Sequence, residues 1–174
     1  GLRIPVDDPD VALSKILRAG DHTPFAAVVA TDDSTVELAS LAARHFGLPH
    51  NPPEAAKLSR RKDLARQRQL DAGIQIPEFY RICLHQQLAA QVPCGIYPAV
   101  LKPLALSGSR GVMRVDNAVE LEVAGERLRT ILAAEAPSEP EERNWALVER
   151  FIPGREVAVE GMLNGGELNV LSIF

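Results

Sequence analysis

Two hydrophobic periods alternate along this chain: short apolar runs of strand length, and longer stretches with apolar residues three and four apart. Phe25-Ala-Ala-Val-Val-Ala30, bounded by Pro24 and by Thr31-Asp-Asp33, predicts a strand. Ser34-Thr-Val-Glu37 has the spacing of a capping box and opens a predicted helix that turns Val36, Ala39, Leu41, Ala42, Ala43 and Phe46 inward. Gly47, followed by Pro49, ends that helix. The pair reads as the tail of an open α/β domain, and Leu48-Pro-His-Asn-Pro-Pro53 as a stiff linker.

A second helix is predicted from about Pro53 to Ala72, ended by Gly73. Ile74-Gln-Ile-Pro-Glu-Phe79 leads out extended, because Pro77 disfavours helix before it. A helix around Leu84 to Gln91 precedes an apolar strand, Ala99-Val-Leu101, that ends in Lys102. After a Gly/Ser loop, Val112-Met-Arg-Val115 reads as a short strand, and Asp116-Asn-Ala-Val-Glu120 caps a helix reaching about Ala134. The acidic stretch 137–142 reads as an exposed loop. Trp145 to Ile152 predicts another strand, stopped by Pro153-Gly154. Arg155 to Gly161 and Glu167 to Leu171 flank Asn164-Gly-Gly166, a hairpin signal, and in the first of these strands Glu156, Ala158 and Glu160 share one face.

Composition narrows the function classes. With 174 residues, 46% hydrophobic and 24% charged, the chain can bury a core and reads as an ordinary soluble globular sequence. A net charge of -4 argues against a nucleic-acid binder that relies on a basic face. Cys83 and Cys94 have no metal-ligand spacing and are too few for a disulfide scaffold. His22, His45, His50 and His85 are scattered and read as structural or surface residues. No stretch approaches a membrane span and Gly1-Leu-Arg-Ile-Pro5 is unlike a signal peptide, so no membrane contact and a cytoplasmic location are expected. The missing initiator methionine, and an end at Phe174 inside a predicted strand, give the expectation of a piece of a longer protein.

Charge is distributed unevenly. Lys57, Arg60, Arg61, Lys62, Arg66 and Arg68 crowd one helical stretch of an otherwise acidic chain. A solvated helix face is the ordinary explanation, yet the clustering places positive charge locally. The second concentration of chemistry is Lys102 with Ser107-Gly-Ser-Arg-Gly111. A lysine at a strand end, glycines that let backbone approach an anion, and two hydroxyl donors suit a phosphate grip. The lysine precedes the glycines, so this is no Walker A loop, and the Gly-x-Gly-x-x-Gly order of a dinucleotide turn is missing. The alternatives are a plain surface turn and, for Lys102, an ion pair with a nearby glutamate.

The order of these elements resembles the ATP-grasp superfamily. The resemblance is carried by Lys62-Asp-Leu-Ala-Arg66 with Ala72-Gly73-Ile74 and Pro77, by the Lys102 strand and its Gly/Ser loop, and by Leu147-Val-Glu-Arg-Phe-Ile-Pro-Gly-Arg-Glu-Val157. It covers about residues 26 to 174 and implies an α/β (α+β) fold. Residues 1–78 would be the remnant of a preceding α/β domain with a linker helix, 79–152 the small ATP-grasp subdomain, and 153–174 the start of the large one. The resemblance puts Lys62 and Lys102 on ATP phosphates, with Lys102 as the catalytic charge, and makes Ser107, Gly108, Ser109 and Gly111 the flexible cover over the β- and γ-phosphates. It places main-chain groups of Arg150 and Ile152 on the purine edge, Glu149 facing the exocyclic amine and Glu156 on the ribose hydroxyls. For Lys62 the alternative is a solvated helix lysine, and for Glu156 a charge that protects a strand edge.

What the resemblance implies about activity is a ligase that uses ATP and a small carboxylate. The carboxylate attacks the γ-phosphate, and the acyl phosphate is captured by an amine, giving ADP and phosphate. Mg²⁺ is implied too, but the usual Glu-x-Asn pattern is not found, so its ligands are expected after Phe174 and this piece is expected to be inactive alone. A homodimer is among the assemblies the resemblance allows. Leu48 to Ala56 and the Ser107 to Val112 loop look most like amino-acid or dipeptide ligases. Phosphoribosylglycinamide synthetase, biotin carboxylase and carbamoyl-phosphate synthase share the same ATP half, and a non-catalytic nucleotide-binding module is the alternative from another class. A dinucleotide oxidoreductase built on residues 25–30 is disfavoured, because no glycine turn follows that run.

Overall fold

A computed structural model of the chain describes residues 1–137 and 139–174; Ser138, in the expected acidic loop, lies outside the described residues. The chain opens with a helix that the hydrophobic pattern does not single out. In α1 (Pro9–His22), the Asp8 carboxylate accepts the Val11 N–H at 3.1 Å and Pro9 occupies the first turn, where its missing donor is harmless. α2 (Val36–His45) follows a short 3-10 turn, Asp33–Thr35. That turn is held by Asp32, which accepts from the Ser34 N–H at 2.9 Å, rather than by a Ser34–Glu37 capping box. Leu38 and Ser40 are buried with Ala42 and Ala43, whereas Ala39, Leu41 and Phe46 are only partly covered.

The strand expected at 25–30 does not form. An extended run becomes a strand only beside a partner's N–H and C=O groups, and among the described residues none pairs with this one. Phe25 instead sets its ring edge-on to Phe46, with centroids 5.4 Å apart, and Val29 is 80% exposed. The basic stretch also differs from expectation. It is two helices, α3 (Pro53–Arg60) and α4 (Lys62–Asp71), interrupted at Arg61, whose ψ of 104° is extended. α1, α2 and α3 pack in succession, and the Ser40 hydroxyl ties the 48–52 linker down by donating to the Asn51 carbonyl.

A four-stranded antiparallel sheet carries the rest. Its strands are β1 (Phe79–Cys83), β2 (Ala99–Pro103), β3 (Met113–Val115) and β4 (Trp145–Arg150), in the order β1-β4-β2-β3. β4 ends at Arg150, two residues before the predicted limit. α5 (Ala118–Glu135) is capped as its sequence suggests: Asn117 accepts the Glu120 N–H at 3.0 Å while Glu120 accepts the Asp116 N–H at 2.8 Å. α6 (Pro140–Asn144) then leads directly into β4. Pairing of Leu101 with Val148 and of Lys102 with Leu147 sets the two sheet faces. Ile82, Ala99, Leu101, Val115 and Val148 face Leu121, Leu128 and Leu132 of α5, and burial of each large side chain there contributes about 1.5–3 kcal/mol. The opposite face presents Arg81, Lys102 and Glu149 toward α4.

No helix forms at 84–91 beyond a 3-10 turn at Ala89–Gln91. The Gln91 amide brackets the backbone there, accepting from the Cys83 N–H at 2.7 Å and donating to the Cys83 carbonyl at 2.9 Å, while Leu84 and Leu88 are both fully buried. Those bonds supersede a helical ladder. The hairpin forms as expected, from β5 (Val159–Asn164) and β6 (Glu167–Ile173). Gly165 and Gly166 have φ of 59° and 87°, the sign that a two-residue hairpin turn requires. β5 starts four residues later than predicted, so Glu156 precedes the strand and shares no strand face with Glu160. No helix among the described residues is long and apolar enough to cross a membrane.

Candidate functional site

Lys102 is the fourth residue of β2, where strand alternation turns it away from the α5 core. Glu149 lies diagonally across on β4, since Val100 pairs with Glu149. The Lys102 ammonium donates to Glu149 Oε2, the ion pair that sequence reasoning weighed against a phosphate contact. Arg66 of α4 reaches the same carboxylate, with Nε 2.7 Å from Oε1 and Nη2 3.4 Å from Oε2. Glu149 is only 3% exposed. Burial works to raise its pKa, but the hydrogen bonds from Lys102 and Arg66 prevail and hold the carboxyl below its usual range.

Lys62 owes its position to the helix break. Arg61 is buried, with Nε 3.0 Å and Nη2 2.8 Å from the two Asp63 carboxylate oxygens, and Nη2 also donates to Glu141 Oε2 at 2.9 Å. Arg81 joins this network by an ion pair to Glu141 at 2.9 Å and lies over the Trp145 ring. Lys62 sits between those anchored neighbours. Its N–H donates to the Leu104 carbonyl at 2.9 Å and its ammonium to the Leu106 carbonyl at 2.7 Å. Burial first, and then the charge of Lys102, push its pKa down. It is therefore not a solvated helix lysine.

The loop after β2 completes a cleft. Gly108 and Ser109 both have positive φ, 63° and 57°, which folds the loop back, and Val112 N–H donates to the Ser109 carbonyl at 3.2 Å. Lys62, Lys102, Ser107, Gly108 and Ser109 line one open cavity of about 410 Å³, with Asp33 on its rim. Arg60, which pairs with Glu142, and Ser59 also line it, so three cations and three serines surround one concavity and suit a polyanion. Gly111 does not line that cavity, and a Cβ added there would meet Leu128 and Pro103. Arg110 pairs with Glu135 at 2.7 Å.

The other expected residues lie at the end of β4 and after it. The Arg150 N–H donates to the Glu78 carbonyl at 2.9 Å and its guanidinium pairs with the Glu78 carboxylate. Ile152 is 68% exposed and Glu156 is exposed, both in irregular backbone. Phe151 is held by its N–H on the Pro98 carbonyl at 2.9 Å and by the Arg114 guanidinium over its ring. Arg66 and the Arg61–Asp63–Glu141 network escape sequence reasoning. The usable signal for Arg66 is its spacing of four from Lys62, which puts both on one side of α4.

Residues 96–174 match the family model described as ATP-grasp domain. A Sinorhizobium fredii protein, y4rH, is 30% identical over 167 residues, which cover 92% of this chain and 32% of that protein. Among solved structures, L-amino acid ligase from Bacillus licheniformis is similar over 99% of this chain and 38% of its own, with 25% identity and a TM-score of 0.76. Biotin carboxylase from Campylobacter jejuni is similar in fold over 91% of this chain and 36% of its own, with 21% identity and a TM-score of 0.60. The chain thus spans about a third of the length of the curated relative it matches. Residues 96–174 thus resemble an ATP-grasp domain, and the chain as a whole shares its fold with ligases of that superfamily.

Proposed function

We propose that this chain is the ATP-binding portion of a ligase that activates a small carboxylate as an acyl phosphate for capture by an amine, releasing ADP and phosphate. The observation that carries the reading is the convergence of Lys62 and Lys102, from α4 and β2, on one cavity beneath the Ser107–Ser109 loop. In this reading both ammonium groups neutralise the charge that spreads over the transferred phosphoryl group. The loop N–H groups and hydroxyls cover it. Residues 79–152 act as the small subdomain, and Arg150, Ile152 and Glu156 run along the adenine and ribose, while the buried Glu149 carboxylate pairs with Lys102 and Arg66 rather than facing the exocyclic amine. The likeness to an L-amino acid ligase over 99% of this chain supports an amino carboxylate as the substrate.

Mg²⁺ is customary for such chemistry. Among the described residues no three His, Cys, Asp or Glu side chains come together to hold a cation. The test is calorimetric titration of the chain with ATP and with AMP. Lys102→Met is expected to weaken ATP binding about 10- to 100-fold, the loss of one charge-assisted contact, and to leave AMP binding nearly unchanged. ATP binding that is undetectable, or that survives Lys102→Met undiminished, refutes the reading.

A further inference from the structure

Glu149 is a buried carboxylate shared by two cations on different elements, Lys102 of β2 and Arg66 of α4. On the function proposed above, Lys102, which lines the cavity while paired with Glu149, shifts from that carboxylate toward a phosphate oxygen. A buried carboxylate stripped of its cation is strongly disfavoured, so the exchange is easy only if a second cation stays behind. Arg66 is built for that. Its Nε and Nη2 engage both Glu149 oxygens, and its Nη1 donates to Gln69 Oε1 at 2.8 Å, which fixes the plane of the guanidinium. Arg66 does not line the cavity, whereas Lys62, one turn earlier on the same helix, does.

We propose that Arg66 is a positioning residue that keeps Glu149 ionised and satisfied while Lys102 transfers from Glu149 to the nucleotide. The inference rests on the nucleotide reading of the cavity. The charges balance at each stage: the Arg66–Glu149–Lys102 cluster carries one net positive charge before the exchange. Afterwards it separates into a neutral Arg66–Glu149 pair and a lysine free to meet an anion.

The experiment titrates ATP into the chain and into Arg66→Gln, Arg66→Lys, Glu149→Gln and the Arg66→Gln/Glu149→Gln double variant, with thermal unfolding of each as the folding control. Arg66→Gln is expected to weaken ATP binding at least tenfold, Arg66→Lys by less than tenfold, because it keeps a cation on Glu149. In the Glu149→Gln background, Arg66→Gln is expected to change the affinity less than twofold, since there is no carboxylate left to hold. A merely structural Arg66 would lose as much in both backgrounds, and that result overturns the proposal. So does Arg66→Gln binding ATP within twofold of the unaltered chain. Should Arg66→Gln not fold, Arg66→Lys decides alone, a tenfold loss or more overturning the proposal and a smaller one supporting it. An unaltered chain that fails to bind ATP overturns the nucleotide reading itself, which separates that failure from the failure of the Arg66 role.

Discussion

Gly108 and Gly111 bracket the same loop with nearly the same backbone, φ of 63° and 73°, yet an added methyl group meets different surroundings at each. At Gly108 a Cβ finds nothing within 4 Å. Gly108→Ala therefore bears only the conformational penalty of a left-handed alanine, about 1 kcal/mol. At Gly111 the same Cβ would lie 2.8 Å from Leu128 Cδ1, and Leu128 is fully buried under the sheet. Overpacking of a filled core adds about 1–3 kcal/mol, so Gly111→Ala should lose about 2–4 kcal/mol in all. Urea unfolding at constant m-value reads the difference, and each kcal/mol corresponds to roughly 2–4 °C in Tm for a chain of this size. Trimming Leu128 to alanine should make room, so the double variant with Gly111→Ala should be more stable than the sum of the two losses predicts, by about 1 kcal/mol or more. On the proposed function, affinity for ATP ranks the two glycines the other way, because Gly108 lines the cavity and Gly111 does not. If both alanine variants lose the same stability, the account of Gly111 as a packing residue is wrong.

Acid should expose the Glu149 cluster. Its carboxyl pKa is lower in the folded chain than the value of about 4.3 expected unfolded, so the unfolded state binds its proton first as pH falls. The stability it contributes is whole above the unfolded value and is lost as pH drops through the folded one. The unaltered chain should therefore lose more unfolding free energy between pH 6 and pH 3 than Glu149→Gln does; parallel losses would remove the carboxylate from the account. Tyr97 offers a test in the core. Its buried hydroxyl has no hydrogen-bond partner among the described residues, so Tyr97→Phe should leave stability unchanged or raise it by up to about 1 kcal/mol. A loss above 1 kcal/mol in chemical denaturation would mean that the hydroxyl is satisfied after all.

Features governed by a few adjacent residues were legible without coordinates. Asn164-Gly-Gly166 makes its hairpin because both glycines accept positive φ. Asn117 and Glu120 cap α5 from within one turn, and Lys102 ends an apolar run whose alternation alone sends it to the opposite face from Leu101. The clustering of basic residues at 57–68 was visible too, though not what each would meet. The run at 25–30 misled because its composition suits a strand while strand formation depends on a neighbour elsewhere in the chain. Residues 84–91 misled because a single glutamine side chain, bonding back to Cys83, displaced the helical pattern.

The chain's own order of residues determined the strand that presents Lys102, the glycine-bearing loop behind it and the charge available nearby, since backbone preference acts over a few residues. Tertiary structure alone decided which acid takes that charge. Arg66 and Glu149 are 83 positions apart, and they meet only because β4 inserts between β1 and β2 and brings its inner carboxylate under α4. Strand order of that kind is set by the burial of the whole sheet against α5, and no local pattern of residues encodes it.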